Sequence, residues 1–146
     1  MGAVLVDDGE YAGWYKWTDD YYECETVGPF YFRKDEQGHV TSFRAEQRHL
    51  NGHGNMHGGC IMSLADSALF TIATDALGED SGVTVSFASE FISGVKEGER
   101  VEARGDVMRS GGSLIFVRGV MTVEDRIVLN FSGTIKRLRQ RPAPIR

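Results

Sequence analysis

One run constrains the fold of this chain more than any other. From Gly58 to about Leu77 the sequence GGCIMSLADSALFTIATDAL keeps a helical period, and Gly78 stands after it as a C-cap. Beyond the helix the period changes to two. Val83, Val85 and Phe87 alternate with Thr84, Ser86 and Ala88, while Val101, Ala103 and Val107 alternate with charged residues through to Arg109. Ser110-Gly111-Gly112-Ser113 is a hairpin turn into LIFVRGVMTV, and Glu124-Asp125-Arg126 turns the chain into IVLNFSGTIKRL. Ahead of the helix, PFYFRKDEQGHVTSFRAE reads as two strands about a turn at Gln37-Gly38, and residues 46–57 read as a glycine-broken loop. The order is strands, one long helix, then four consecutive antiparallel strands. It predicts an α+β fold with a single central helix packed on a strongly curved antiparallel sheet.

The chain divides into an aromatic and acidic arm (1–28), one domain (29–140) and a short tail (141–146). In the arm, the spacing of Trp14, Trp17 and Tyr21 suits one face of a short helix covering an edge of the core, and no catalytic role is assigned to it. With 16 Lys and Arg against 21 Asp and Glu, the net charge of −5 argues against a nucleic-acid partner. No basic-plus-apolar leader opens the chain, and no stretch approaches the roughly 18 apolar residues of a membrane span. Cys24 and Cys60 sit in unrelated contexts and read as free thiols. A soluble, cytoplasmic protein is the expectation.

Polar residues inside the helical run ask for a reason. On a wheel of 100° per residue, Ser63, Ser67, Thr71, Thr74 and Asp75 share a stripe, whereas Asp66 stands to one side among Met62, Phe70 and Ala73. A carboxylate half-desolvated by such neighbours gains basicity; the plainer alternative is that Asp66 caps a nearby loop. Gly58 and Gly59 leave the first N–H groups of the helix uncovered by any Cβ, at the positive end of its dipole. Their alternative role is to let a strand pass close to the helix end. An oxyanion donor together with a carboxylate suggests acyl transfer to water. A thioester suits so sparse a site, because its thiolate leaves without a general acid. No Gly-x-Ser-x-Gly elbow competes.

Gly58 and Asp66 are eight residues apart, about 12 Å along a helix axis, yet both must reach the same reacting group. One helix cannot do that. Two helices packed antiparallel across a two-fold axis can, giving two sites per dimer.

At these residues the sequence resembles the hotdog-fold acyl-CoA thioesterases of the phenylacetate-pathway (PaaI-like) group. The resemblance runs over about residues 45–137. It rests on Asn51, Gly54, His57-Gly58-Gly59 and Asp66, then Gly82-Val83-Thr84-Val85 and Arg109-Ser110-Gly111-Gly112-Ser113-Leu114. It implies a helix wrapped by an antiparallel sheet, a dimer with a continuous sheet, and a dimer of dimers. It implies Asp66 as general base or nucleophile and the Gly58 N–H as the group that polarises the thioester carbonyl. Asn51 and His57 then shape the thioester pocket, and Thr84 positions Asp66 or the attacking water. No metal or redox cofactor is implied; coenzyme A enters as part of the substrate.

Around that core, Gly59, Met62 and Phe70 are candidate contacts for the acyl group, with Gly111 and Ser113 in the matched turn. Arg109, Lys136 and Arg137 are candidate partners for the phosphates of coenzyme A, and equally candidate surface charges. His49, His53 and His57 recur every four residues, a spacing that binds zinc on a helix, but Asn51-Gly52 and Gly54-Asn55 break the helix that would stack them. Two rivals keep the fold: a non-catalytic acyl-CoA-binding regulatory module, and a hydratase. The acyl group, aromatic or medium-chain, stays open.

Overall fold

The computed structural model describes residues 2–139, so the tail 141–146 lies outside the described residues. Strands β1 (Ala3–Leu5), β2 (Tyr15–Trp17), β3 (Tyr31–Asp35) and β4 (Gly38–Arg44) precede α1 (Gly58–Ile72) and a four-residue helix α2 (Thr74–Leu77). Four long strands follow: β5 (Ser81–Phe91), β6 (Arg100–Ser110), β7 (Leu114–Val123) and β8 (Arg126–Leu138). All eight form one antiparallel sheet in the order β1-β2-β3-β4-β6-β7-β8-β5. This is the hotdog arrangement, one central helix held by a curved sheet.

Burial explains why α1 lies where it does. Ile61, Leu64, Ala65, Ala68, Leu69 and Ile72 recur at helical spacing, and all six are buried against the strands. Full burial of each Leu or Ile contributes about 1.5–3 kcal/mol. Facing them from the sheet are Val101, Ile115, Val117, Leu129, Phe131 and Ile135, also buried.

Three expectations need correction. The helix does not run unbroken to Leu77: it stops at Ile72, and Ala73 (φ −83°, ψ 3°) separates α1 from α2. The Thr74 hydroxyl donates to the carbonyls of Phe70 (3.1 Å) and Thr71 (2.8 Å), a side-chain intrusion that bends helices. Gly78 then ends α2 with φ 61°. The four late strands are not paired in sequence order either. β5 crosses to the far edge and pairs with β8, leaving β6 beside β4.

The third correction concerns the arm. Trp14, Trp17 and Tyr21 do not share a helix: Trp17 lies in β2, and β1 and β2 add a hairpin to the sheet through Tyr15 opposite Phe32. Tyr11, Trp14 and Val40 form a second small buried cluster, in which Tyr11 stacks on Tyr31 at 4.0 Å. A π-helical turn (Tyr22–Val27) then carries the chain alongside α1. No helix among the described residues is long and apolar enough to cross a membrane.

Candidate active site

The candidate oxyanion donor lies at the helix start. His57 caps α1, its Nδ1 accepting the Gly59 N–H at 2.9 Å. The N–H groups of Cys60 and Ile61 donate to the His57 carbonyl at 2.9 and 3.1 Å. Among the described residues the Gly58 N–H has no acceptor, so it is the donor left over for a ligand. The rival reason for the glycines also has a basis. A Cβ on Gly58 would lie 3.3 Å from the Phe91 ring of β5, and one on Gly59 would lie 3.1 Å from His57 Nδ1. Glycine at 58 thus eases the close passage of β5 and leaves its N–H uncovered by a Cβ.

Asp66 stands two turns further along α1, on the face opposite the core. Thr84 Oγ1 donates to Asp66 Oδ1 at 2.6 Å, fixing the carboxylate from β5. The register of β5 against β8 slips between Thr84 and Ser86. This bulge alters the strand's alternation: Val83 and Val85 point outward and are exposed, while Thr84 turns toward Asp66 and Phe87 reaches the core. Simple alternation had placed Val83, Val85 and Phe87 together. The bulge separates them.

Asp66 is exposed in the single chain, contrary to the expected half-desolvation: the neighbouring apolar side chains flank it without covering it. Its face is nevertheless one wall of a chamber of about 880 Å³. Gly59, Met62, Ser63, Asp66, Ser67 and Phe70 share that wall, so the serine stripe and Asp66, set apart on the wheel, act on one space. Opposite them stands the arm. Trp17, Asp20, Tyr22 and Glu23 line the chamber, although the sequence assigns this segment only to cover an edge of the core.

Glu23 is the residue that sequence reasoning missed. It is buried, it accepts a hydrogen bond from Ser67 Oγ at 3.1 Å, and burial aided by the charges of Asp20 and Asp66 pushes its carboxyl up to about 7. No local signal distinguishes it from the other acidic residues of the arm. Only the folding of the arm onto α1 does.

The remaining candidates lie elsewhere. Asn51 organises its own loop, Oδ1 accepting the N–H of His53 at 2.9 Å and of Asn55 at 3.3 Å. Arg137 is committed within the chain: it donates to the Gly111 carbonyl (3.1 Å) and Ser110 Oγ (2.6 Å) and pairs with Asp80 at 3.4 Å. Ser113 offers its carbonyl to the Arg137 N–H at 2.8 Å. This cross-linking gives Gly111, Ser113 and Arg137 a structural task beside the hairpin turn. Arg109 and Lys136 are exposed at strand ends. His49 is buried, its Nδ1 accepting the Glu46 N–H at 2.9 Å, and among the described residues no cluster of three His, Cys, Asp or Glu could hold a metal. Burial pushes the Cys60 thiol up to about 11, which keeps it from competing as a nucleophile.

This geometry can be set beside known proteins. Residues 53–129, which include Gly58, Asp66 and Thr84, match the family model of the thioesterase superfamily. Over 111 residues the chain is 29% identical to the Pseudomonas aeruginosa protein named Putative esterase PA0474, covering 75% of this chain and 83% of that one. A solved variant of the phenylacetic acid degradation protein PaaI from Thermus thermophilus is 31% identical and superposes with a TM-score of 0.63 over 68% of this chain and 84% of its own. A hypothetical thioesterase from Streptococcus pneumoniae, solved with coenzyme A, shares the fold at 21% identity and a TM-score of 0.67, over 77% of this chain and 88% of that one. The helix start, the carboxylate of α1 and its partner on β5 thus fall inside a matched segment that spans more than half the chain: the protein belongs to the thioesterase superfamily, PaaI-like in kind, and is a thioester hydrolase.

Proposed function

We propose that the protein hydrolyses acyl-CoA thioesters, with Asp66 as the base or nucleophile and the Gly58 N–H of a second protomer polarising the carbonyl. The observation that carries this reading is the pair Thr84–Asp66: a carboxylate held at 2.6 Å by a hydroxyl, at the wall of a chamber large enough for an acyl group. The structural relative from Streptococcus pneumoniae holds coenzyme A, which supports this class of thioester.

In the base route, Asp66 takes a proton from water as the water oxygen bonds to the thioester carbon. The oxyanion accepts the Gly58 N–H, the C–S bond breaks, and the thiolate leaves, with the proton returned from Asp66. In the nucleophile route, Asp66 itself bonds to the carbon as the C–S bond breaks and the thiolate leaves; water then cleaves the mixed anhydride, freeing the Asp66 carboxylate and the acid, and its proton goes to the thiolate. Either way one water is consumed, and one carboxylic acid and one thiol are formed.

Distance and the free edge of β5 support a dimer. Gly58 lies about 12 Å from Asp66 along the axis, so each must serve the other protomer's partner group. β5 is the last strand of the sheet, and it carries exposed Val83, Val85 and Phe91. Pairing of two β5 strands about a two-fold axis would continue the sheet and bring two α1 helices together; a dimer of dimers is the further assembly. Arg109 and Lys136, exposed and uncommitted to the turn, are the proposed contacts for the phosphates of coenzyme A. Asn51 and His57 shape the pocket from the loop and the cap.

The test is release of free thiol from a panel of acyl-CoAs. Asp66→Asn keeps the shape and removes the base or nucleophile, so turnover should fall at least ~100-fold with the dimer intact. Turnover near that of the wild type would remove Asp66 from the mechanism. Binding of acyl-CoA without any hydrolysis by the wild type would identify a binding module instead.

A further inference from the structure

The arm brings into the chamber a buried carboxyl that the reaction does not use. Glu23 is 8% exposed and stands in the same wall system as Asp66. Its place is built by several independent contacts. A Cβ on Gly28 would lie 2.1 Å from the Glu23 carbonyl oxygen, so the chain folds back over this turn only with glycine there. Arg48 donates to the Thr26 carbonyl at 2.6 Å and also to the Gly28 carbonyl, pinning the turn from the far side. The Glu23 N–H donates to Asp20 Oδ1 at 3.0 Å, and the Tyr22 hydroxyl pairs with Ser63 Oγ of α1 at 2.9 Å. The carboxyl itself meets Ser67, the residue after Asp66.

The chamber around it is aromatic and acidic. Trp17, Phe32, Phe70 and Phe87 supply apolar wall, while Asp20, Glu23, Asp66, Glu79 and Asp80 supply carboxyl groups, Asp80 being paired with Arg137 at 3.4 Å. None of the described residues lining it is Lys, Arg or His. The charged groups that face Glu23 are Asp20 from the arm and Asp66 from α1, and both raise the cost of ionising it.

We propose that Glu23 is a specificity-determining residue of this chamber: with Asp20 and Asp66 it admits uncharged acyl groups and rejects acyl chains that end in a carboxylate. The proposal rests on the thioester hydrolase reading for the chamber as the acyl site. A carboxylate brought up to buried Glu23 beside an apolar wall is repelled more strongly than at open surface, because less water intervenes there; exposed Asp66 and half-buried Asp20 add a screened share. Hydrolysis turns an uncharged acyl group into a carboxylate in place, so the same field favours release of the product.

Two measurements test this. The first compares hexanoyl-CoA with adipyl-CoA, equal in carbon count and different by one terminal carboxylate. The wild type should prefer the hexanoyl thioester in kcat/KM, and Glu23→Gln should shrink that preference at least ~10-fold at pH 8, chiefly through KM for the adipyl thioester. At pH 5.5, where Glu23 carries a proton, the two proteins should discriminate alike. The second needs no activity. The Glu23 carboxyl lies above its unfolded value when folded, so the wild type should lose thermal stability as pH rises from about 4.5 to about 7, and Glu23→Gln should be flatter there.

Equal preference at pH 8 in Glu23→Gln and wild type overturns the proposal. If the variant does not fold, the wild type alone decides: its preference must steepen between pH 5.5 and 8, and a flat ratio overturns the proposal. If the wild type hydrolyses neither of these thioesters nor an aromatic acyl-CoA, the hydrolase reading fails by itself. The affinities of the two thioesters, measured by equilibrium binding at both pH values, then settle Glu23 by the same criterion.

Discussion

The two faces of α1 obey different rules. On the core face, Ile61, Leu64, Ala65, Ala68, Leu69 and Ile72 are buried, and the sheet fills the space around them. On the chamber face, Ser63, Asp66, Ser67 and Thr71 carry hydrogen-bonding groups beside Met62 and Phe70. The first face is chosen by volume and the second by chemistry. A single helix can satisfy both because only half its circumference meets the sheet. This also resolves the oddity of a carboxylate in an apolar run: in the single chain Asp66 lies on the exposed face of α1, away from the packed side chains. Periodicity finds the core face, while the other face is understood only when its neighbours are known.

Exchanging damage between the faces is the sharpest way to break this division. Asp66→Asn should cost at least ~100-fold in turnover while leaving thermal stability nearly unchanged, since an exposed carboxylate supports little of the fold. Leu64→Ala should do the reverse. Leu64 is fully buried, so its truncation should destabilise the protein by about 2–5 kcal/mol while folded molecules keep their kcat. Denaturant titration and thiol release on the same preparations check both. Loss of stability in Asp66→Asn as large as that in Leu64→Ala would dissolve the distinction.

Some of this was legible in the sequence. Ile61, Leu64, Ala68 and Ile72 announce the helix, and the run from Asn51 to Asp66 announces the family and the candidate site. The strand order was not legible, because β5 and β6 alternate alike and nothing local directs β5 to β8 at the far edge. The bulge after Thr84 was also hidden, since it arises from the register of two strands far apart in sequence. The arm misled for another reason. Trp14, Trp17 and Tyr21 fit a helical spacing, whereas the local alternation Tyr15-Lys16-Trp17 after Gly13 (φ 84°) was the better signal of a hairpin. Glu23 and Arg137 gained their places only through tertiary contacts with Ser67 and Asp80.

The helix start offers a test across chains. Gly58→Pro removes the N–H, and proline suits this first helical position because His57 before it has the extended ψ of 135°. Proline also adds a Cβ near Phe91, so Gly58→Ala, which adds that Cβ and keeps the N–H, is the matched control. Activity should fall roughly 100-fold in Gly58→Pro and much less in Gly58→Ala. In a mixed dimer with Gly58→Pro on one chain and Asp66→Asn on the other, one site carries both lesions and its mate carries none. Up to about half the wild-type rate per dimer should return, following the two-fold symmetry. Purified, folded mixed dimers as inactive as their parents would show that the two groups do not act across the interface.

The smallest expected effect concerns the strand that meets the chamber face. Thr84→Val keeps the shape and the β-branched side chain that suits β5, and removes only the hydroxyl that donates to Asp66 at 2.6 Å. A hydrogen bond to a charged acceptor is worth about 1.5–3 kcal/mol, but water can take over part of it at an exposed carboxylate, so a fall of roughly 10-fold in kcat is expected. KM should move little, because Thr84 acts through Asp66. Thr84→Ser restores the donor on a smaller side chain and should recover most of the rate. A Val variant that turns over like the wild type would leave Asp66 positioned by α1 alone, and the chamber face would then owe nothing to the bulge in β5.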